Sequence, residues 1–388
     1  MGLGRTVALA VVWTAVVTGA FGCARMRGMR EAAAPEPQCA PGQFLDAKGA
    51  PVGPAQVGAL AANRAYVLIG EGHPLACDHL AQARVIERMA EAGALPAIGL
   101  EMASFDNQPV LDLFNKGYLS VDELESALKW RETVGYPFEA YRPIFETAKR
   151  LNLPLFALSA PRKIVVKAAK TGLAGLSFQE RLGLPGRIID CPPEQEAALR
   201  EVFDEHHFPA KDQGGAWKHF LAVQAIWDTT MAHRALEVRV LTRRPVVILV
   251  GSGHVEYGWG IAGRLAKLDP DGSRLLIMPW RLPDPPDSIQ ADLFFFCPLP
   301  PARAPLGMTL TAQSTVVTVS SVTDGSPAAK AGLIVGDQIV FAQDAPVTKL
   351  FDLHQAAMKA MEQGGALRLH IRRNGQTQTI NIPLSPDK

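Results

Sequence analysis

The sequence predicts an α/β domain built on a mostly parallel sheet flanked by helices, followed by a small β-rich domain. Three observations predict it. Short continuous apolar runs recur at residues 66–69, 97–100, 155–158, 246–250 and 275–278, with helical spacing between them. That is the pattern of parallel strands buried on both faces. A Pro-rich segment at 297–305 cannot continue a helix or a central strand, and it divides the chain. Beyond it, residues 316–322, 338–341, 367–372 and 377–382 alternate like half-buried antiparallel strands, around one clear helix at 351–362.

Bulk properties agree. With 388 residues, 48% hydrophobic and 20% charged, the chain is ordinary globular protein and long enough for two cores. A formal net charge of +1 argues against nucleic acid as a partner. The basic cluster Arg368, Arg372 and Arg373 reads as the solvated face of a strand.

The N-terminus reads as an export signal. Arg5 is followed by an apolar and small-residue run over 6–22, shorter than the ~20 residues of a usual membrane span. Gly22 and Cys23 then resemble a lipoprotein signal, which would make Cys23 the lipidated first residue. Ala24 after it suggests outer-membrane sorting. Residues 24–56, rich in Ala, Pro and Gly, read as a tether, leaving 57–296 as the large domain and 306–388 as the small one. Cys39, Cys77, Cys191 and Cys297 show neither zinc nor redox-pair spacing; an exported chain permits disulfides, but their pairing stays open.

The candidate site follows from the strand ends, because ligands of parallel sheets sit beyond the carboxyl ends of the strands. The first strand runs into Gly70-Glu71-Gly72-His73, the second into Glu101-Met102, the third into Ser159-Ala160, and the fourth into Gly251-Ser252-Gly253-His254. A glycine ending a buried strand allows a sharp turn, so a histidine three residues on can fold back over the strand end. Two such turns with Glu71 and Glu101 make a plausible first shell for zinc, manganese or iron. A long helix at 216–241 carries Gln224, Trp227, Asp228 and Met231 on one face, Asp228 serving either this site or a salt bridge. Ser252 lacks the spacing of a serine-hydrolase elbow, and His206-His207 reads as a surface doublet.

Two resemblances sharpen this reading. The run Gly325-Ser326-Pro327-Ala328-Ala329-Lys330-Ala331-Gly332-Leu333 with Val335-Gly336-Asp337 resembles a PDZ domain of the bacterial protease-associated type. That resemblance implies a carboxylate-binding loop at Leu306, Gly307, Met308 and Thr309, and a peptide or protein C-terminus as partner. The order of Gly-Glu-Gly-His73 with His79, Glu101 with Gln108, Tyr141-Arg142-Pro143, Gln224 with Trp227-Asp228 and Met231, and Gly-Ser-Gly-His254 is similar to that of ChaN-like haem-binding uptake lipoproteins of the Tiki/TraB and erythromycin-esterase-like superfamily. Pro74-Leu75 stand where that family usually has Asp-Asn.

The family resemblance implies a lipid-anchored protein of haem or iron uptake, a binding protein more than an enzyme. His73, His254 or Tyr257 would be the axial ligand. Trp227, Met231, Phe105 and Trp259 would provide apolar walls, and Arg142 or Arg162 would meet the propionates. A second chain could complete a shallow haem site as a homodimer. The alternative is a Tiki-type metal-dependent hydrolase, with His73, Glu101 and His254 on a divalent ion and Glu71 as general base.

Overall fold

The structure is a computed structural model that describes residues 39–205, 213–281, 286–299, 306–313, 316–348, 352–353, 356–357, 360 and 365–384. Cys23, the apolar run before it and His206-His207 lie outside the described residues. Among the described residues no helix is long and apolar enough to cross a membrane.

The large domain runs β1 (Phe44–Asp46), β2 (Pro51–Val52), α1 (Pro54–Ala62), β3 (Tyr66–Glu71), α2 (Ala76–Glu91), β4 (Ala97–Ser104), α3 (Gln108–Asn115), α4 (Val121–Ala127), α5 (Trp130–Thr133), α6 (Phe138–Leu151), β5 (Leu155–Ser159), α7 (Arg162–Thr171), α8 (Phe178–Arg181), α9 (Pro193–Glu205), α10 (Gln213–Thr242), β6 (Val246–Gly251), α11 (Ile261–Leu268), β7 (Arg274–Trp280) and β8 (Leu293–Phe296). The sheet order is β2-β1-β8-β7-β3-β6-β4-β5. Neighbours from β8 to β5 are parallel, and β1 joins β8 antiparallel at one edge.

Strand alternation explains the two cores. Val67, Ile69, Val247 and Leu249 face one side, with Val85, Ile86 and Met89 of α2 and Ile144 and Phe145 of α6. Tyr66, Leu68, Val246 and Ile248 face the other, with Met231 and Ala235 of α10 and Ile261 and Leu265 of α11. Because both faces are covered, each strand reads as a continuous apolar run.

Two parts of the architecture differ from the sequence reading. The sheet extends into the stretch read as a tether, since Phe44, Leu45 and Val52 are buried in β1 and β2. The Phe-rich strand β8 was not expected as a strand; it forms the floor on which β1 pairs. The cysteine question also resolves: Cys77 and Cys297 form a disulfide, while Cys39 and Cys191 are free thiols.

The small domain contains β9 (Met308–Gln313), β10 (Val316–Val322), α12 (Pro327–Lys330), β11 (Gln338–Ala342), β12 (Ala345–Pro346), β13 (Ala366–Arg373) and β14 (Gln376–Pro383). Its antiparallel order is β14-β13-β11-β10-β9, with β12 on β11. Leu353, Ala356 and Ala360 are helical and buried at spacings of three and four, as the helix expected at 351–362 requires.

Candidate functional site

Sheet order assembles the site. Strand β6 lies between β3 and β4, so the two Gly-x-x-His turns end neighbouring strands and Glu101 comes from the next one. The β4–β5 register shifts between Leu100 and Ser104, and this irregularity surrounds Glu101. Its Oε2 accepts the Gly251 N–H at 2.7 Å, across the end of β6.

The first imidazole is held from below. Glu71 is fully buried at the end of β3, and its Oε1 accepts from His73 Nδ1 at 2.9 Å and from the Tyr141 hydroxyl at 2.7 Å. Its Oε2 accepts from Gln82 Nε2 at 2.8 Å. His79, also buried, places Nε2 3.3 Å from Glu71 Oε1 as a charge contact. Neither His79 ring nitrogen makes a hydrogen bond among the described residues, and its ring lies 3.8 Å from that of Tyr141. Burial opposes the charge on Glu71, but the nearby His79 charge and the hydrogen bond and charge of His73 hold its carboxyl well below the ordinary range. Burial likewise opposes a charged His73; the Glu71 hydrogen bond and the Glu101 and Glu71 charges outweigh it and raise His73 to about 9.

The second imidazole is held the same way. His254 Nδ1 lies 2.6 Å from Asp228 Oδ1, and His254 Nε2 lies 3.5 Å from Glu101 Oε1. Asp228 Oδ2 also takes Gln195 Nε2 at 2.8 Å and sits 3.3 Å from Arg264 Nη1, both partners buried. The Asp228 and Glu101 charges raise His254 against its burial, and the His73 charge lowers it. Acidic and basic side chains therefore alternate along the edge: Glu71, His73, Glu101, His254, Asp228, Arg264.

Glycine at 251 suits this crowding. A Cβ there would lie 3.0 Å from His73 Cε1 and Nε2 and 3.6 Å from Glu101 Oε2. The imidazole of the first turn thus packs over the glycine of the second, and the two turns form one site.

Other expected residues fall differently. Tyr257 makes no ring contact or hydrogen bond with either imidazole among the described residues: it has φ 58°, its ring stacks on Trp259 at 4.3 Å, and its N–H donates to Gln290 O at 2.8 Å. Its hydroxyl makes no hydrogen bond among the described residues. Burial and then the Asp287 and Glu256 charges raise its pKa. Arg142 faces Asp122 and Glu139, each at 2.7 Å, rather than the site. Gln108 accepts the Ala157 N–H at 2.8 Å and so braces β5. Phe105 lies under the Arg234 guanidinium, Met231 is core, and Gln224 is half-buried on α10. Trp227 meets His254 edge-on at 6.1 Å. Arg162 donates to the Glu132 and Thr133 carbonyls at the base of the next loop.

That loop carries a residue the sequence reading missed. Tyr136 stacks on His73 at 5.1 Å, and burial with the Glu101 and Glu71 charges pushes its hydroxyl up to about 12. It lies in a short loop without periodicity, so no pattern announces it. Tyr141 was visible beside Arg142 in the family-like motif, but the tyrosine, not the arginine, enters the site.

The candidate donors are not drawn together as an ion site. Among the described residues, Cys77, Asp78 and Cys297 are the group whose potential ligand atoms lie within 4.8 Å of one another, and its two cysteines are oxidised. His73, Glu101 and His254 do not close up in that way.

A family model described as haem-binding uptake, Tiki superfamily, ChaN matches residues 58–265, and a PDZ model matches residues 304–384. The chain belongs to the ChaN haem-binding uptake family. The fold of the ChaN-like domain is shared with the ChaN protein of Campylobacter jejuni, for which cofacial heme binding is described. That likeness has a TM-score of 0.53 and 16% identity, over 65% of this chain and 95% of the other. The small domain resembles part of an HtrA-type protease, AlgW, solved with a decapeptide (22% identity, TM-score 0.17, over 22% of this chain and 30% of that one). It also resembles part of a serine endoprotease from Yersinia pestis (28% identity, TM-score 0.16, over 21% and 28%). No curated protein matches the chain.

In the PDZ domain, Gly307 has φ 74° and its carbonyl accepts the Thr323 N–H at 2.7 Å. Leu306 and Gly307 lead into β9, which is the edge strand of the sheet. Met308 and Thr309 of the expected carboxylate loop are the first residues of that strand.

Proposed function

We propose that the carboxyl edge of the large domain binds haem, with His73 as the iron ligand. One observation carries the reading. Both imidazoles have Nδ1 engaged by a buried carboxylate, Glu71 or Asp228; His73 Nε2 has no hydrogen-bond partner among the described residues and would bind iron on losing its proton, whereas His254 Nε2 lies 3.5 Å from Glu101 Oε1. A carboxylate on Nδ1 is how proteins orient metal-ligating histidines. His73 is the more accessible, its side chain 26% exposed against 13% for His254. A porphyrin also needs apolar faces, and Tyr136 and Trp227 lie against the two imidazoles. Arg162, exposed and bonded to the carbonyls just before the Tyr136 loop, is suited to a propionate. Bound haem would supply the iron, with its own redox and ligand chemistry. The chain's residues orient one imidazole and keep its proton on Nδ1, facing Glu71.

Membership of the family supports a role in haem or iron uptake. We further propose that the chain is exported and anchored through lipid at Cys23, at the outer membrane, and that a second chain completes the haem site. The edge of β9 beside Gly307, unpaired among the described residues, is suited to pairing with a peptide C-terminus.

The metal-dependent hydrolase is less well supported. Glu71 accepts three hydrogen bonds and is buried, so it is not placed to take a proton from a bound water. Titrating the full chain with haemin and following the Soret band tests the reading. A saturable shift at micromolar haemin is expected; an unshifted band would sink it.

A further inference from the structure

The last strands of the large domain lie beyond the matched family span, which ends at residue 265, yet they reach back to the His73 turn. The Cys77–Cys297 disulfide joins the first turn of α2 to the residue after β8, across 220 residues of sequence. Beside it, Asp78 is fully buried, and its Oδ2 accepts the Gly72 N–H at 2.7 Å and pairs closely with the Arg281 guanidinium. Arg281 Nη1 donates to the Cys297 carbonyl at 2.7 Å, and the Cys297 N–H donates to the Trp280 carbonyl at 3.1 Å. The links close a ring: Cys297 to Cys77 through sulfur, Cys77 to Asp78 through the chain, Asp78 to Arg281 by charge, and Arg281 back to Cys297.

We propose that this ring is a positioning device for His73. Gly72 immediately precedes the histidine, and its N–H is the point at which the ring touches the ligand turn. A buried carboxylate is costly unless paired. Without Arg281, Asp78 must take a proton or move, and either change weakens the acceptor for Gly72. The disulfide keeps Arg281 in reach by fixing Cys297 against α2. Because Cys297 is also the root of the Pro-rich segment, the turn is set from the place where the chain leaves the domain. The proposal rests on the haem reading for its consequence, but not for its geometry.

The test uses the full chain with Arg281→Gln, Arg281→Lys, and Cys77→Ala combined with Cys297→Ala. Amide hydrogen exchange of Gly72 is measured in the haem-free protein, beside the β3 amides, and haemin affinity is measured in parallel. In the Gln and double-Ala variants, Gly72 should exchange at least about tenfold faster while Val67 to Ile69 stay protected. Haemin binding should weaken by about 10- to 100-fold, as for other outer partners of metal-ligating histidines. Arg281→Lys should recover part of both. Wild-type protection at Gly72 in the folded variants, or loss that tracks the β3 amides, overturns the proposal. If the wild type binds no haemin, the haem reading fails, and Gly72 exchange still decides the positioning role.

Discussion

Replacing Tyr141 with Phe tests the buried network under His73 with little change of shape. The ring stays, so its contacts with Trp130 at 5.0 Å and His79 at 3.8 Å persist and no cavity opens. What is lost is the hydroxyl that donates to Glu71 Oε1 at 2.7 Å and lies 3.2 Å from the His73 carbonyl. A hydrogen bond to a charged, fully buried group contributes about 1.5–3 kcal/mol, against about 1 for a neutral one. Glu71 keeps Gln82 and His73, so we expect a loss of about 2 kcal/mol at pH 7. The carboxyl should also be less strongly held, so acid unfolding should begin at a higher pH. Urea denaturation followed by tryptophan fluorescence is the assay, because five of the six tryptophans (Trp130, Trp217, Trp227, Trp259 and Trp280) lie in the large domain, the sixth is Trp13 in the N-terminal apolar run, and the small domain has none. The Tyr141→Phe change should cost much less in a Glu71→Gln background, giving a coupling of about 1.5 kcal/mol. A loss below about 0.5 kcal/mol, or no coupling, would refute the assignment of Tyr141 as a partner of a charged Glu71.

Three further outcomes follow from the same geometry. Gly251→Ala should cost about 1–2 kcal/mol of stability by overpacking but lower haemin affinity at least tenfold, because the new methyl displaces His73; affinity unchanged in the folded variant would count against a shared site. Asp228→Asn should destabilise by about 3–5 kcal/mol, since Arg264 would be left buried without its counter-charge, and adding Arg264→Met should recover part of that loss. A melting temperature within a degree of wild type would contradict this. For pH, His73 is raised above its unfolded value of about 6.5, so its contribution is complete below that pH and fades as pH rises through about 9. Glu71 is depressed, so its contribution is present above about 4.3 and fades as pH falls. Thermal stability should peak near pH 5–6.5 and drop by no more than about 2 kcal/mol towards pH 9, the exposure of His73 reducing the full effect; stability rising between pH 7 and 9 would contradict it.

Much of the fold was legible because β3, β4, β5 and β6 are buried on both faces and each ends at a turn or a charged residue. The edge elements were not. Strands β1 and β2 total five residues in a Pro- and Gly-rich stretch, and local sequence does not show that they pair with β8. Of the site, the strand-end residues Glu71, His73, Glu101 and His254 were readable from position, and Asp228 from its place on the long helix. Tyr136, Gln82, Asp78 and Arg281 were not, because their roles depend on contacts between distant elements. Arg142 and Gln108 illustrate the converse: both sit in family-like motifs, yet one is held by surface carboxylates and the other by the backbone of β5. Tyr257 followed His254 closely in sequence, but its left-handed backbone turns it toward Trp259 and Gln290.

The most direct test is the haemin dissociation constant and Soret position of the wild type beside those of His73→Ala and Tyr257→Phe. The account predicts that His73→Ala weakens binding at least tenfold and moves the Soret band, while Tyr257→Phe leaves the band where it is. Wild-type binding by His73→Ala, with the band lost in Tyr257→Phe, would contradict it.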